Sequence, residues 1–317
     1  MNKKTISIND ELLDSNGNFT IEMYCCPIFI SHQFGVFLYN DNQLFTLNDG
    51  VPEIRSATLT FIEYEGQIYG ITCRHVVKHL EKMNKVNQRS WQASLKDKNW
   101  YPPELQLHFY VPHKNFQIHL NSKFYNVPGD EFTKNYPDVA IARISSDFIQ
   151  KIERSALCIS SNIDPTNKQQ NASGFCGLAT GFPEQKRIKK KLNKMVSSLG
   201  VTIVNAYAPF DNFSDNQLTL FAELNEGSDV NSLSGMSGGP IIWSNEDSWG
   251  LAGIVKTGRD MNIATDAIED SIFDGPVIWI DGERLTYEKI VSWIKSLPED
   301  DEKIPDLSKM IVAPKNI

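Results

Sequence analysis

The sequence predicts an all-β protein built from two units of short strands. Apolar and β-branched runs of strand length recur along the chain, bounded by Gly, Pro, Asn and Asp. The runs fall into two groups with a polar, turn-rich stretch between them, and helical periodicity is scarce. Such spacing suits barrels or sandwiches.

Residues 57–64 and 67–73 flank Glu65-Gly66, a hairpin signal. Further strands are expected at 105–111, 116–120, 139–144, 174–180, 199–207, 217–223, 239–243, 249–256 and 276–280. The first unit spans 51–146 and the second 174–283, joined by a linker at 147–173 whose polar core is 160–173. Residues 1–50 are weakly patterned and read as an N-terminal extension. A short helix is expected after His75, with Val76, Val77 and Leu80 on one side. A second lies near 286–297, where Tyr287, Ile290, Val291 and Ile294 repeat at helical spacing, so 284–317 reads as a C-terminal helix and tail.

The chain has 317 residues, 41% of them hydrophobic, enough to bury an ordinary core. A net charge of −8 argues against a broad nucleic-acid footprint. The basic run at 186–194 reads as a solvated loop. Met1 is followed by two lysines but by no apolar run of signal-peptide length, and no stretch of about 18 apolar residues occurs. A cytoplasmic protein without membrane contact is the expectation. The five cysteines, Cys25, Cys26, Cys73, Cys158 and Cys176, show neither CxxC nor zinc-type spacing and read as buried thiols in a reduced compartment. His75 and His79 stand at i, i+4 but no Glu follows His75, so no metal is expected. No glycine-rich phosphate loop is present, and no cofactor is expected.

The most informative segment is Gly235-Met236-Ser237-Gly238-Gly239-Pro240, followed by the apolar Ile241-Ile242-Trp243. Acyl transfer needs a nucleophilic oxygen beside donors for the developing oxyanion. Glycines let the backbone turn tightly and approach a substrate, so the N–H groups of Gly235 and Ser237 can converge on one point. The run also satisfies G-x-S-x-G, but an α/β-hydrolase needs a His after its Ser, and none of the six histidines follows Ser237.

A serine needs a base. His75 closes the strand-like Tyr-Gly-Ile-Thr-Cys-Arg-His, a position at the edge of a cleft, whereas no strand leads to His79. An imidazole needs a carboxylate to fix its tautomer. Asp138 heads the apolar run Val-Ala-Ile-Ala, where a carboxylate is costly without a partner.

Thr72-Cys73-Arg74-His75-Val76, Asp138-Val139-Ala140-Ile141 and Gly235 to Pro240 together resemble the trypsin-like serine peptidases, in that family's order of His, Asp and Ser. Leu251-Ala252-Gly253-Ile254-Val255 resembles the strand after the nucleophile, and Gly177 to Pro183 an early strand and turn of the second barrel. The resemblance covers about residues 51–283 and implies two antiparallel six-stranded-type β-barrels with the active site in the cleft between them. It implies a serine endopeptidase, with His75, Asp138 and Ser237 catalytic, Gly235 and Ser237 as the oxyanion hole, and a protein or peptide as substrate. By motif alignment the substrate pocket falls at Asn231 and Ser232, with Val255, Lys256 and Thr257 on one wall. No acid stands at Asn231, so a neutral or small side chain is expected there rather than Arg or Lys. Met236 replaces the Asp with which digestive members clamp a new N-terminus, and 284–317 is too short for a PDZ module. The chain looks most like stand-alone bacterial trypsin-like peptidases, some of which act beside a regulatory protein partner. The competing expectation is a catalytically silent binding module on the same fold.

Overall fold

The computed structural model describes residues 8–31, 38–40, 43–45, 54–82, 109–113, 116–120, 122–129, 136–160, 176–192, 195–223, 232–260 and 277–299. In chain order the strands of the first unit are β1 (Cys25–Ser31), β4 (Ile54–Tyr64), β5 (Gln67–Thr72), β6 (Phe109–His113), β7 (Phe116–Leu120), β8 (Tyr125–Asn126), β9 (Ala140–Ile144) and β10 (Leu157–Cys158); β2 (Leu38–Asn40) and β3 (Gln43–Phe45) form a separate hairpin. The first unit is an eight-stranded sheet in the order β7-β6-β1-β4-β5-β9-β8, with β10 pairing in parallel with β4. The second unit is a closed barrel of β11 (Cys176–Gly181), β14 (Val204–Phe213), β15 (Gln217–Glu223), β18 (Val277–Arg284), β17 (Trp249–Asp260) and β16 (Pro240–Ser244). A two-stranded arm, β12 (Arg187–Leu192) with β13 (Met195–Val201), leaves it between β11 and β14.

The all-β class, the two units and the C-terminal helix stand as expected. Among the described residues the first unit's sheet holds eight strands, two of them only two residues long, and no ladder closes it. The β4–β5 turn falls at Glu65-Gly66, where both residues have positive φ, as the sequence signal requires. A helix α1 begins at residue 74 and is described through 82, burying Val76, Val77 and Leu80. Helix α2 (Ser146–Lys151) is capped by Ser145.

Two boundaries need correction. Residues 1–50 are more than an extension. Strand β1 pairs with β4 over its whole length, and Leu12 and Ile21 are fully buried. The expected linker 147–173 contributes β10 to the first sheet, and its segment 161–173 lies outside the described residues. The strand expected at 199–207 is two strands, broken at residues 202–203. The tail 303–317 lies outside the described residues.

Two features set the site in place. Strand β5 pairs with β4 only from Thr60 to Tyr64, so the edge of β4 around Thr58 is open toward the second unit. Helix α3 (Tyr287–Lys295), capped by Thr286, follows β18 out of the barrel. It buries Ile290, Trp293 and Ile294 in the core of the first unit.

Candidate active site

The strand-to-helix step at Thr72-Cys73-Arg74-His75 places the imidazole beyond the end of β5. Val76 N–H bonds back to Cys73 O at 3.1 Å and closes the first helical turn. The side chain of His75 is 51% exposed while that of Asp138 is 9% exposed, so one faces solvent and the other lies beneath it. His75 Nδ1 stands 2.6 Å from Asp138 Oδ2, and the His75 backbone N–H donates to Asp138 Oδ1 at 3.0 Å. Both oxygens therefore hold the same residue, and the carboxylate fixes Nδ1 as the protonated nitrogen, leaving Nε2 with its lone pair.

The segment before β9 is tied down on both sides. Arg74 N–H donates to Asp138 O at 3.2 Å, and the Arg74 guanidinium lies 3.7 Å from the centroid of the Tyr136 ring. Burial alone would raise the Asp138 carboxyl. The His75 hydrogen bonds and its charge outweigh burial and hold the group below its ordinary 3.8.

The turn that carries Ser237 is built on two glycines of positive φ, Gly235 at 98° and Gly238 at 89°. A Cβ on Gly235 would lie 2.7 Å from Phe182 O and 2.8 Å from Glu184 N, and one on Gly238 would overlap Thr58 O and Thr72 Oγ1. Only glycine fits either place. Met236, between them, is fully buried in the barrel core and holds the turn down. The open edge of β4 supplies the rest. Thr58 N–H donates to Ser237 O at 2.9 Å, Thr58 Oγ1 to Gly235 O at 3.0 Å and Thr60 Oγ1 to Gly238 O at 2.7 Å.

These bonds spend the carbonyls of the turn, not its donors. Among the described residues, no acceptor takes the N–H of Gly235 or Ser237. The turn and the segment leading into His75 also share one acceptor. Val255 O accepts from Gly238 N–H at 2.8 Å and from Cys73 Sγ–H at 3.1 Å. Ser237 Oγ donates to Lys256 O at 3.1 Å.

Of the expected pocket residues, Asn231 lies outside the described residues, and Ser232 Oγ accepts from Ser234 N–H at 3.1 Å within the preceding turn. Val255 was expected on the pocket wall. Its side chain is fully buried in the barrel core, and it serves the site through its backbone instead. Thr257 is buried, and Lys256 is partly exposed with its charge near Asp138.

Cys73, His75 and Asp138 offer ligand atoms within 4.8 Å of one another. Burial and the nearby Asp138 and Glu283 carboxylates push the Cys73 thiol far up, so it stays protonated. With the imidazole and carboxylate bonded to each other, the set suits a hydrogen-bonded pair better than a cation.

Two contributions escaped the sequence reading. One is the pair of hydroxyls of Thr58 and Thr60 on β4, legible in principle as polar residues alternating within an otherwise apolar strand. The other is Glu283, which is 2% exposed and accepts from Asp138 N–H at 3.3 Å through Oε2.

No protein-family model matches the chain. Among solved structures it is similar to the protease Anisep from Arthrobacter nicotinovorans, with TM-score 0.42 and 10% identity over 86% of this chain and 94% of that one. It is also similar to the thermostable serine protease AL20 from an extremophilic microorganism, with TM-score 0.37 and 11% identity over 81% and 89%. Kallikrein-related peptidase 10 gives TM-score 0.37 and 9% identity over 86% and 93%. Similarity at this level assigns no activity, and the functional reading rests on the geometry above.

Proposed function

We propose that this chain is a trypsin-like serine endopeptidase. The observation that carries the reading is the His75–Asp138 pair, with Cys73, two residues before His75, sharing Val255 O with a glycine turn that presents Ser237 and two uncommitted N–H groups. In the proposed reaction Ser237 Oγ attacks the peptide carbonyl while His75 Nε2 takes its proton. Gly235 and Ser237 N–H groups receive the oxyanion. His75 then protonates the leaving amine, and water resolves the acyl-enzyme by the same steps. Asp138 keeps the imidazole in its tautomer and steadies the imidazolium.

Incubation with a proteome-derived peptide library, read by mass spectrometry, tests this. Wild type is expected to cut, with neutral or small residues before the scissile bond, and Ser237→Ala is expected to lose about 10⁴–10⁶ in rate. Equal cutting by both proteins contradicts the mechanism, and cuts mainly after Arg or Lys contradict the pocket assignment.

A second reading is favoured by the bond from Ser237 Oγ to Lys256 O. It describes a resting state in which a substrate or a regulatory protein turns the hydroxyl toward His75. That reading predicts low basal cutting that rises when the partner is added. A silent binding module predicts none under either condition.

A further inference from the structure

Deeper than the His–Asp pair lies a second acid that the peptidase mechanism does not use. Glu283 stands on β18, the last barrel strand, where it pairs in register with Ile254 of β17 and Gln217 of β15. Its residue is 2% exposed, and its Oε2 lies 3.3 Å from the backbone N of Asp138, a residue of the other unit. A buried carboxyl on the barrel thus holds the main chain of an acid in the first unit.

The groups that face Glu283 come from four directions. Asp138 precedes β9, Lys256 belongs to β17, Lys289 to α3, and Cys73 follows β5. The Lys289 ammonium is shared with Asn216 Oδ1 at 3.0 Å and Arg284 O at 3.4 Å. Lys256 also acts on Asp138, so this one cation faces both acids while its backbone O holds Ser237 Oγ.

We infer that Glu283 is a positioning residue for the proposed peptidase site, setting the place and charge of Asp138 across the junction of the two units. This rests on the endopeptidase reading for its catalytic consequence but not for its structural one. Burial pushes the Glu283 carboxyl up to about 7, with the Asp138 charge adding to the rise and the Asp138 N–H, Lys256 and Lys289 opposing it. Its charge therefore changes in the pH range where a serine–histidine pair works. When ionised, it accepts more strongly from Asp138 N–H and adds negative potential behind the imidazole, which favours the imidazolium of the transition state. When protonated, it relaxes both effects.

The test compares wild type, Glu283→Gln and Glu283→Leu, each first shown to be folded by its thermal melt. The first readout is the rate of fluorophosphonate labelling from pH 5 to 9. Glu283→Gln keeps an acceptor for Asp138 N–H, so its rate at pH 8 is expected within about tenfold of wild type. Its acid limb is expected to shift to lower pH and to become a single step. Glu283→Leu leaves that N–H unpaired and is expected to lose about tenfold to a hundredfold at every pH. The second readout needs no activity. In a Ser237→Ala background, the Asp138 backbone amide resonance is expected to shift in a step near pH 7 that Glu283→Gln removes. Identical pH profiles for wild type and Glu283→Gln, with an unchanged rate in Glu283→Leu, overturn the inference. So does an amide titration that Glu283→Gln leaves unaltered. If wild type fails to label while the amide step is present and removed by Glu283→Gln, the positioning stands and the peptidase reading falls.

Discussion

Asp138 and Glu283 are two carboxyls under one cleft that burial treats alike and neighbours treat differently. Asp138 gains two bonds from His75 and keeps its charge, whereas Glu283 gains one backbone N–H and is raised to about 7 from an ordinary 4.5. Between those two pH values the folded protein holds a proton on Glu283 that the unfolded chain has released, so this group costs stability as pH rises through the window. Glu283→Gln is therefore expected to melt higher than wild type at pH 8, by at most about 3 kcal/mol, and to differ little at pH 4.5. Thermal melts at the two pH values check this, and a larger gain at the lower pH contradicts it. The opposite sign applies to Asp138, whose contribution is present above its ordinary 3.8 and is lost as pH falls through its lowered folded value. Asp138 was legible in the sequence because an acid heading an apolar strand needs a partner. Glu283 was not. It sits in Asp281-Gly282-Glu283-Arg284, which reads as a polar strand end, and only the folded chain brings Asp138 of the first unit against it. Gly238 is the other single residue on which the site depends. Gly238→Ala is expected to abolish labelling and to cost about 1–3 kcal/mol, since its φ is unfavourable for alanine and its Cβ would meet Thr58 O.

Strand β4 does the work of joining the halves. Its apolar residues Ala57, Leu59 and Phe61 fill the core, while Thr58 and Thr60 turn the opposite way and bond to the turn that carries Ser237. Thr58→Val keeps the shape but leaves the Gly235 carbonyl and the Phe182 N–H without that hydroxyl. It is expected to cost about 1–3 kcal/mol and to slow labelling of Ser237 more than Thr60→Ser, which keeps its hydroxyl. Urea denaturation together with labelling rates checks this, and an unchanged rate in Thr58→Val removes β4 from the account of the site. The strand was legible from its apolar alternation and from Glu65-Gly66. Its role was not, because hydroxyls on a strand look the same whether they face water or a second barrel. Strand β1 escaped detection for a different reason. Its run Cys-Cys-Pro-Ile-Phe-Ile-Ser has no period of two and contains a proline. It is buried within the sheet, and Pro27 is tolerated opposite Thr58, whose own N–H is donated to Ser237 O instead. Helix α3 was found by its period, but Trp293, its largest buried side chain, was not among the residues that marked it. Trp293→Ala is expected to cost about 3–5 kcal/mol.

Across the whole molecule the two units share more than a cleft. The core of the first unit continues through Leu178, Ile242, Leu251 and Ile254 of the barrel strands and through α3. Near the N-terminus, Asn9 N–H donates to Ser244 Oγ at 2.9 Å and Glu11 accepts from Trp249 Nε1 at 2.8 Å, so residues preceding β1 also bind the barrel. One cooperative unfolding transition is therefore expected, with equal midpoints by tryptophan fluorescence and far-UV circular dichroism. Two separated transitions would show that the junction is weaker than its contacts imply. The order of three short motifs was enough to read the division of His, Asp and Ser between the units. The sequence could not reveal the bonds across that division, since each joins residues more than a hundred positions apart. The most direct measurement of the central claim is fluorophosphonate labelling of the purified protein, with the adduct mapped by mass spectrometry. A single adduct on Ser237, absent from Ser237→Ala and lost in His75→Ala, is the predicted result. A folded protein that takes no adduct at Ser237, or takes it equally without His75, contradicts the account.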